Sequence, residues 1–101
     1  MDISVMEGSN NTTIALKGRF DFQTHMEFRR TVEGLLRAGH SALTLDLTEV
    51  SFIDSSALGM LLLARESCEK AGGVVVLNRP QEYVDKVLKL CHFDQLFQVL
   101  R

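Results

Sequence analysis

The sequence contains no tryptophan, one proline and two cysteines among its 101 residues. Without tryptophan, a core has to be built from aliphatic residues and phenylalanine, and a hydrophobic content of 46% is sufficient for that. Cys68 and Cys91 do not make a disulfide framework, so we expect reduced, mostly buried thiols. Neither cysteine belongs to a spacing typical of zinc sites. The sequence therefore predicts no metal site and no cofactor.

A basic cluster and a long apolar run are also missing. Arg29 and Arg30 are the only adjacent basic pair, and the formal net charge is −2. Nucleic-acid binders gain affinity by neutralising phosphates, so this composition argues against DNA or RNA as a partner. The most apolar segment, residues 57–64, is far shorter than the ~20 residues of a membrane span. No secretory signal is visible at the N-terminus. We expect one cytoplasmic domain over residues 1–101, without a membrane partner.

The first half of the chain alternates strand and helix patterns. Ile3 and Val5 alternate with polar residues, as do Ile14 and Leu16, which predicts a hairpin around the turn-forming residues 8–11. Gly18 is expected to end the second strand. A helix follows, in which Thr24 and Glu27 form a capping box. The apolar residues at helical spacing in this helix are Phe28, Val32, Leu35 and Leu36. The next strand is predicted from the alternation at Leu43, Leu45 and Leu47.

The second half continues the alternation. A helix runs from the polar segment 54–56 to Ala71, and the apolar run 74–77 is typical of a central strand. Pro80 is expected at the first position of a third helix. Phe97 and Val99 predict a weak final element, either a strand or a helical turn. The order is β-β-α-β-α-β-α, which indicates an α/β fold with a mixed, mostly parallel sheet.

Candidate chemistry is concentrated where the third strand meets the second long helix, at Asp54, Ser55 and Ser56. Serine and aspartate are common helix caps, so the spacing alone favours simple capping. However, a helix N-terminus also tolerates an anion, because its backbone N–H groups are unpaired. A phosphate on Ser55 would add about −1.5 to −2 charges beside Asp54. Such a change would create a new negative patch on a folded surface.

The segment from Leu43 to Gly59, with its Asp-Ser-Ser-x-Leu-Gly core, resembles the signature of STAS domains. The resemblance is specifically to the bacterial anti-sigma-factor antagonists. Three further segments, residues 18–21, 72–78 and 88–97, are similar to the corresponding parts of that family. The resemblance therefore covers essentially the whole chain.

The resemblance implies a protein-binding switch. The unphosphorylated domain would bind an anti-sigma factor, commonly a serine kinase of the histidine-kinase ATPase fold, and so release the sigma factor. The kinase would phosphorylate Ser55, and a metal-dependent serine phosphatase would reverse the modification. The resemblance assigns Asp21 and Asp54 to positions beside the acceptor. From their positions in the segment, Ser56 is expected to support the phosphosite, and Leu58 and Gly59 are expected to contact the partner.

One position departs from the family pattern, since many members have glycine where this chain has Ala57. Alanine raises helix propensity, and we expect its methyl group near the docking surface. Ser56 is a second candidate acceptor, ranked below Ser55.

The sequence also bears on two other functions. A serine hydrolase would need a base near Ser55 and a Gly-x-Ser-x-Gly elbow, which is absent, so we expect no enzymatic activity. STAS domains also serve as constitutive scaffold subunits of lipid-transport ATPase complexes. The Asp-Ser-Ser core and Asp21 favour the sigma pathway over that scaffold role.

Overall fold

The computed structural model describes residues 1–8 and 10–101. Ser9, which belongs to the predicted turn at residues 8–11, lies outside the described residues. The elements are β1 (Asp2–Glu7), β2 (Thr12–Phe20), α1 (His25–Arg37), β3 (Ala42–Ile53), α2 (Ser55–Lys70), β4 (Val74–Asn78), α3 (Glu82–Leu90), a 3-10 turn (Phe93–Gln95) and β5 (Gln98–Leu100). The predicted order of strands and helices is confirmed.

The five strands form one sheet in the order β1-β2-β3-β4-β5. β1 pairs with β2 in antiparallel fashion, and the other three pairings are parallel. The chain thus moves one strand in the same direction at each crossover. Crossovers of this kind are right-handed almost without exception, which places successive helices on the same face of the sheet. The expected mixed, mostly parallel sheet is confirmed.

One face of the sheet carries the core. Residues of β2, β3 and β4 are alternately buried and more exposed, because successive side chains of a strand point to opposite faces. All three helices contribute buried residues to a single cluster. Its largest fully buried side chains are Phe20, Phe28, Ile14, Leu16, Leu43, Leu45, Leu47, Leu61, Leu77 and Leu88. As expected, this core is aliphatic with a few phenylalanines.

Strand β2 is longer than its sequence indicates. Gly18 does not end the strand, which continues to Phe20. Instead, Gly18 adopts a φ of 100° and lies at an irregularity in the pairing with β3. A left-handed backbone of this kind is strained for residues with a Cβ, so glycine serves here as part of a bulge. Beyond the bulge, the strand continues to the residues that precede the candidate site.

Two helix starts also differ from expectation. Thr24 is the N-cap of α1 but makes no capping hydrogen bond. Its hydroxyl instead donates to the Arg19 carbonyl at 3.0 Å and accepts from the Asp21 amide at 2.9 Å. The predicted capping box is therefore wrong. Pro80 is not the first helical residue either, since α3 begins at Glu82.

The weak final element is both a turn and a strand. The 3-10 turn leads into β5, which pairs with β4. Arg101 then donates to Asp85 of α3 at 2.8 Å and to Asp94 at 2.9 Å. The hydrogen bond from Arg101 lowers the pKa of Asp85 below its ordinary value, against the opposing effect of desolvation. These ion pairs fasten the end of β5 to α3.

None of the helices in the described residues is long and apolar enough to cross a bilayer.

Candidate functional site

The candidate site lies where two neighbouring parallel strands end. Phe20 of β2 and Ile53 of β3 are partners in the sheet, and both strands finish there. The amide of the next residue, Asp54, donates to the Phe20 carbonyl at 3.3 Å. Because the carboxyl ends of parallel strands meet at the same edge of the sheet, the turn after β2 is brought against the start of α2.

Asp54 holds that junction with both carboxylate oxygens. Its Oδ1 accepts from the Ala57 amide at 3.0 Å, which makes Asp54 the N-cap of α2. Its Oδ2 accepts from the Phe22 amide at 3.1 Å. The capping interpretation is therefore confirmed for Asp54. The same side chain also ties the turn after β2 to the helix, which the sequence pattern does not reveal.

Asp21 stabilises the turn itself. Its Oδ1 accepts from the Gln23 amide at 3.0 Å, and its Oδ2 pairs with Arg19 Nε at 3.4 Å. Desolvation raises the pKa of Asp21, but the hydrogen bonds from Arg19, Gln23 and Thr24 outweigh it, so the pKa lies below the ordinary value. Both oxygens of Asp21 and both of Asp54 thus have partners within the site. Their local role is structural.

The two serines occupy different environments. Ser55 is the first residue of α2 and is exposed, whereas Ser56 is half-buried. In residues 1–8 and 10–101, neither serine amide donates to a protein group. These amides belong to the unpaired N–H groups that give a helix N-terminus its partial positive charge. Ser55 is accordingly the more accessible hydroxyl, as its higher ranking requires.

In the described residues, no histidine or cysteine side chain hydrogen-bonds to Ser55. His25 contacts the Phe22 carbonyl through Nδ1 and stacks on the Phe22 ring, with ring centroids 5.1 Å apart. Among the residues the structure describes, no three His, Cys, Asp or Glu side chains are grouped to hold a metal ion. Cys68 is buried, which raises the pKa of its thiol, but Cys91 is exposed, so the expectation of mostly buried thiols holds for Cys68 alone.

An apolar surface extends from Ser55 along α2. Positions four, seven and eight residues after Ser55 share its side of the helix, and they are Gly59, Leu62 and Leu63. Leu62 and Leu63 are exposed, at 39% and 47%. Phe22, tied to Asp54 by its amide, is 69% exposed. We call Phe22, Gly59, Leu62 and Leu63 the Ser55 surface.

The predicted contacts around this surface have distinct positions. Leu58 packs partly against the core and is only half-exposed. A Cβ on Gly59 would meet no atom within 4 Å, so nothing in the fold requires glycine there. Ala57 is fully buried. The expectation that its methyl group lies near the docking surface is therefore wrong. The residue that departs from the family pattern faces the core.

Comparison with known proteins identifies the family of this chain. The family described as Mlab, STAS domain, matches residues 3–100. The chain belongs to the STAS-domain family. A STAS-domain containing protein of Pseudomonas aeruginosa is 37% identical over 87 residues, covering 86% of this chain and 85% of that protein. The family resemblance inferred from the Asp-Ser-Ser-x-Leu-Gly core is confirmed.

Solved structures show that the STAS fold extends over nearly the whole chain. A crystal structure of a protein assigned as an anti-sigma factor antagonist of Thermotoga maritima matches with a TM-score of 0.92 at 23% identity, covering 98% of this chain and 86% of that one. SpoIIAA of Bacillus in its phosphorylated form matches with a TM-score of 0.77 at 20% identity, covering 99% and 92%. At these identities the likeness establishes the fold of this STAS domain.

Two residues at the site were missed by sequence reasoning. Phe22 is a large apolar residue within a polar turn, and that contrast is a signal the sequence does contain. Arg19 gives no such signal, because its position depends on the register between β2 and β3. Its guanidinium carbon lies 4.0 Å from the centroid of the Phe52 ring.

Proposed function

We propose that this STAS domain is a phosphorylation-switched anti-sigma-factor antagonist. The unphosphorylated form binds an anti-sigma factor and thereby releases its sigma factor, and phosphorylation of Ser55 weakens that binding. The observation that carries the proposal is the position of Ser55. It is an exposed hydroxyl at the first position of α2, bordered by the apolar Ser55 surface and by two carboxylates. The domain acts in the cytoplasm as a binding protein and not as an enzyme.

The geometry explains how one phosphate would act. In the unmodified state the Ser55 surface presents a neutral hydroxyl beside exposed Phe22, Leu62 and Leu63. Apolar side chains of this size are typical anchors of protein interfaces. A phosphoserine adds about −1.5 to −2 charges at neutral pH and must be desolvated when a partner docks. A hundredfold loss of affinity corresponds to about 2.7 kcal/mol, which desolvation and repulsion from partner carboxylates are able to supply.

The partner supplies the chemistry. Both carboxylates near Ser55 are engaged in hydrogen bonds within the site, and the general base for the transfer is proposed to come from the partner. We therefore assign the transfer of the phosphoryl group to the anti-sigma factor, acting as a serine kinase of the histidine-kinase ATPase fold. A serine phosphatase reverses it. SpoIIAA is a solved relative in fold that exists in a phosphorylated form, which supports such a cycle.

Capture of partners from the organism's own cell extract tests the switch. Wild-type and Ser55→Ala proteins are expected to retain an anti-sigma factor, identified by mass spectrometry, and Ser55→Asp is expected to lose about a hundredfold in affinity. Ser67→Asp is the matched control, because Ser67 is exposed on the same helix about 18 Å from Ser55 along its axis. Phosphosite mapping of the cellular protein should locate phosphate on Ser55. Equal retention of one partner by all four proteins, without phosphate on Ser55, would establish the scaffold role instead.

Replacing Gly59 with alanine is expected to separate stability from binding. Nothing lies within 4 Å of the added Cβ, so alanine should stabilise the helix interior by about 0.5–1 kcal/mol. The same methyl group projects into the space that the partner is proposed to occupy, and we expect affinity to fall about tenfold, or 1.4 kcal/mol. Thermal unfolding and binding titration against the captured anti-sigma factor measure the two effects.

Gly34→Ala is the control for that substitution. Gly34 is inside α1, and a Cβ there would meet only the Arg37 side chain at an ordinary 3.9 Å. It should raise stability by a similar amount and leave binding unchanged. If Gly59→Ala bound the partner as tightly as Gly34→Ala, Gly59 would not lie in the interface.

A further inference from the structure

Arg19 rests on an aromatic platform at the edge of the candidate site. Its guanidinium carbon lies 4.0 Å from the centroid of the Phe52 ring. Phe52 in turn stacks on Tyr83 of α3, with ring centroids 6.1 Å apart and an angle of 13° between the planes. A cation over an aromatic face is attracted to it, and the stacked pair limits where the guanidinium goes. The platform therefore keeps a positive charge beside the Asp21 turn.

The hydrogen-bonding capacity of Arg19 is largely unused. A guanidinium has five N–H donors. In the described part of the chain, Arg19 makes one side-chain hydrogen bond, a long one of 3.4 Å from Nε to Asp21 Oδ2. The side chain is 62% exposed. The two terminal nitrogens are thus available to an acceptor that the unmodified protein does not provide.

The pairing of the two strands places Arg19 and Ser55 at the same edge of the sheet. Arg19 and Phe52 are partners across β2 and β3, and Ser55 follows Phe52 by three residues. The hydrogen bond from Asp54 to the Phe20 carbonyl holds the two segments together at that point. Within residues 19–24 and 52–58, which build the site, Arg19 is the only lysine or arginine.

We propose that Arg19 binds the phosphoryl group carried by Ser55. The inference rests on the proposed function, because it assumes that Ser55 is modified. A phosphate on Ser55 adds negative charge to a site that already holds Asp21 and Asp54, and Arg19 is the cation of this site able to donate to it in forked geometry. Arg19 then shares or leaves its long bond to Asp21. The domain thus contains the residue that binds the phosphoryl group, and the hydrogen bonding of the Asp21 turn changes when the phosphate is added.

The test uses the full chain with phosphoserine installed at position 55 during translation. The second ionisation of the phosphate is followed by phosphorus NMR as the pH is varied. Asp21 and Asp54 raise this pKa and Arg19 lowers it, so the pKa in the wild type should lie below the pKa in the Arg19→Gln variant. Arg19→Gln should raise it by about half a unit or more, and Arg19→Lys should retain part of the effect because the charge remains.

Lys17→Gln is the matched control. Lys17 is two residues earlier on the same strand and lines a separate concave surface with Asp46 and Thr48. The Lys17→Gln substitution removes the same positive charge as Arg19→Gln. It should leave the pKa of the phosphate at the wild-type value. Coincident titration curves for wild type and Arg19→Gln would overturn the proposal. Because the phosphate is installed without a kinase, that failure would leave the partner-capture test of the Ser55 switch unaffected.

Discussion

Replacing Phe20 with alanine is expected to lower the free energy of unfolding by about 3–5 kcal/mol. Phe20 is fully buried, and its ring packs on Phe28 with centroids 4.9 Å apart. Truncation removes apolar contacts and leaves a cavity that the surrounding strands and helix fill only in part. Phe20 is also the last residue of β2, directly before the Asp21 turn. Urea unfolding followed by circular dichroism measures the loss.

Phe22→Ala provides the comparison. It removes the same atoms two residues later, from a ring that is 69% exposed. Surface substitutions of this kind usually change stability by no more than about 0.5 kcal/mol. Phe22→Ala should therefore leave the unfolding midpoint nearly unchanged while weakening partner binding. Similar losses of stability in the two variants would show that Phe20 does not support the core as described.

Replacing Gly73 with alanine is expected to cost about 3 kcal/mol or more. A Cβ at this position would lie 2.0 Å from the Ser41 carbonyl oxygen and 2.4 Å from its carbon. Both are backbone atoms, so no side-chain rotation relieves the overlap, and overpacking of this kind costs about 1–3 kcal/mol or occasionally more. The Ser41 carbonyl also accepts from the Val74 amide at 3.1 Å, where β3 and β4 begin to pair. Moving the chains apart would break that contact, which places the cost at the upper end.

Gly72→Ala separates steric overlap from backbone strain. Gly72 has a φ of 81°, and a Cβ there would meet nothing within 4 Å. Its replacement should cost only the about 1–2 kcal/mol of a left-handed backbone. Denaturant midpoints for the two variants decide the matter. A Gly72→Ala protein less stable than Gly73→Ala would mean that the approach of Ser41 to Gly73 is not the controlling contact.

Much of the fold follows from patterns that operate within a few residues. The alternation at Leu43, Leu45 and Leu47 and the apolar run at residues 74–77 are local patterns, and strands form at both places. The prediction failed where local signals compete with tertiary contacts. Thr24 has a good capping side chain, but its hydroxyl is bound to the backbone of Arg19 and Asp21. Gly18 is an ordinary strand terminator, yet it forms a bulge within the pairing to β3.

The site was predictable in its main residue and not in its surroundings. The position of Ser55 at a helix start is encoded by the neighbouring Asp54, whose capping role is local. The burial of Ala57 depends on which side of α2 faces the sheet, and the helix is apolar on several sides, so its sequence does not decide this. The platform under Arg19 combines residues of β2, β3 and α3. Its formation requires strand register, which short-range periodicity does not specify.

Asp54 also has a consequence for the motions of this STAS domain. One carboxylate accepts from two amides that are 35 residues apart in sequence, at Phe22 and Ala57. Fraying of the first turn of α2 and opening of the segment after β2 therefore both break a hydrogen bond to Asp54. Rotation of the Asp54 side chain would break both hydrogen bonds at once. We therefore expect the two ends of the site to open together.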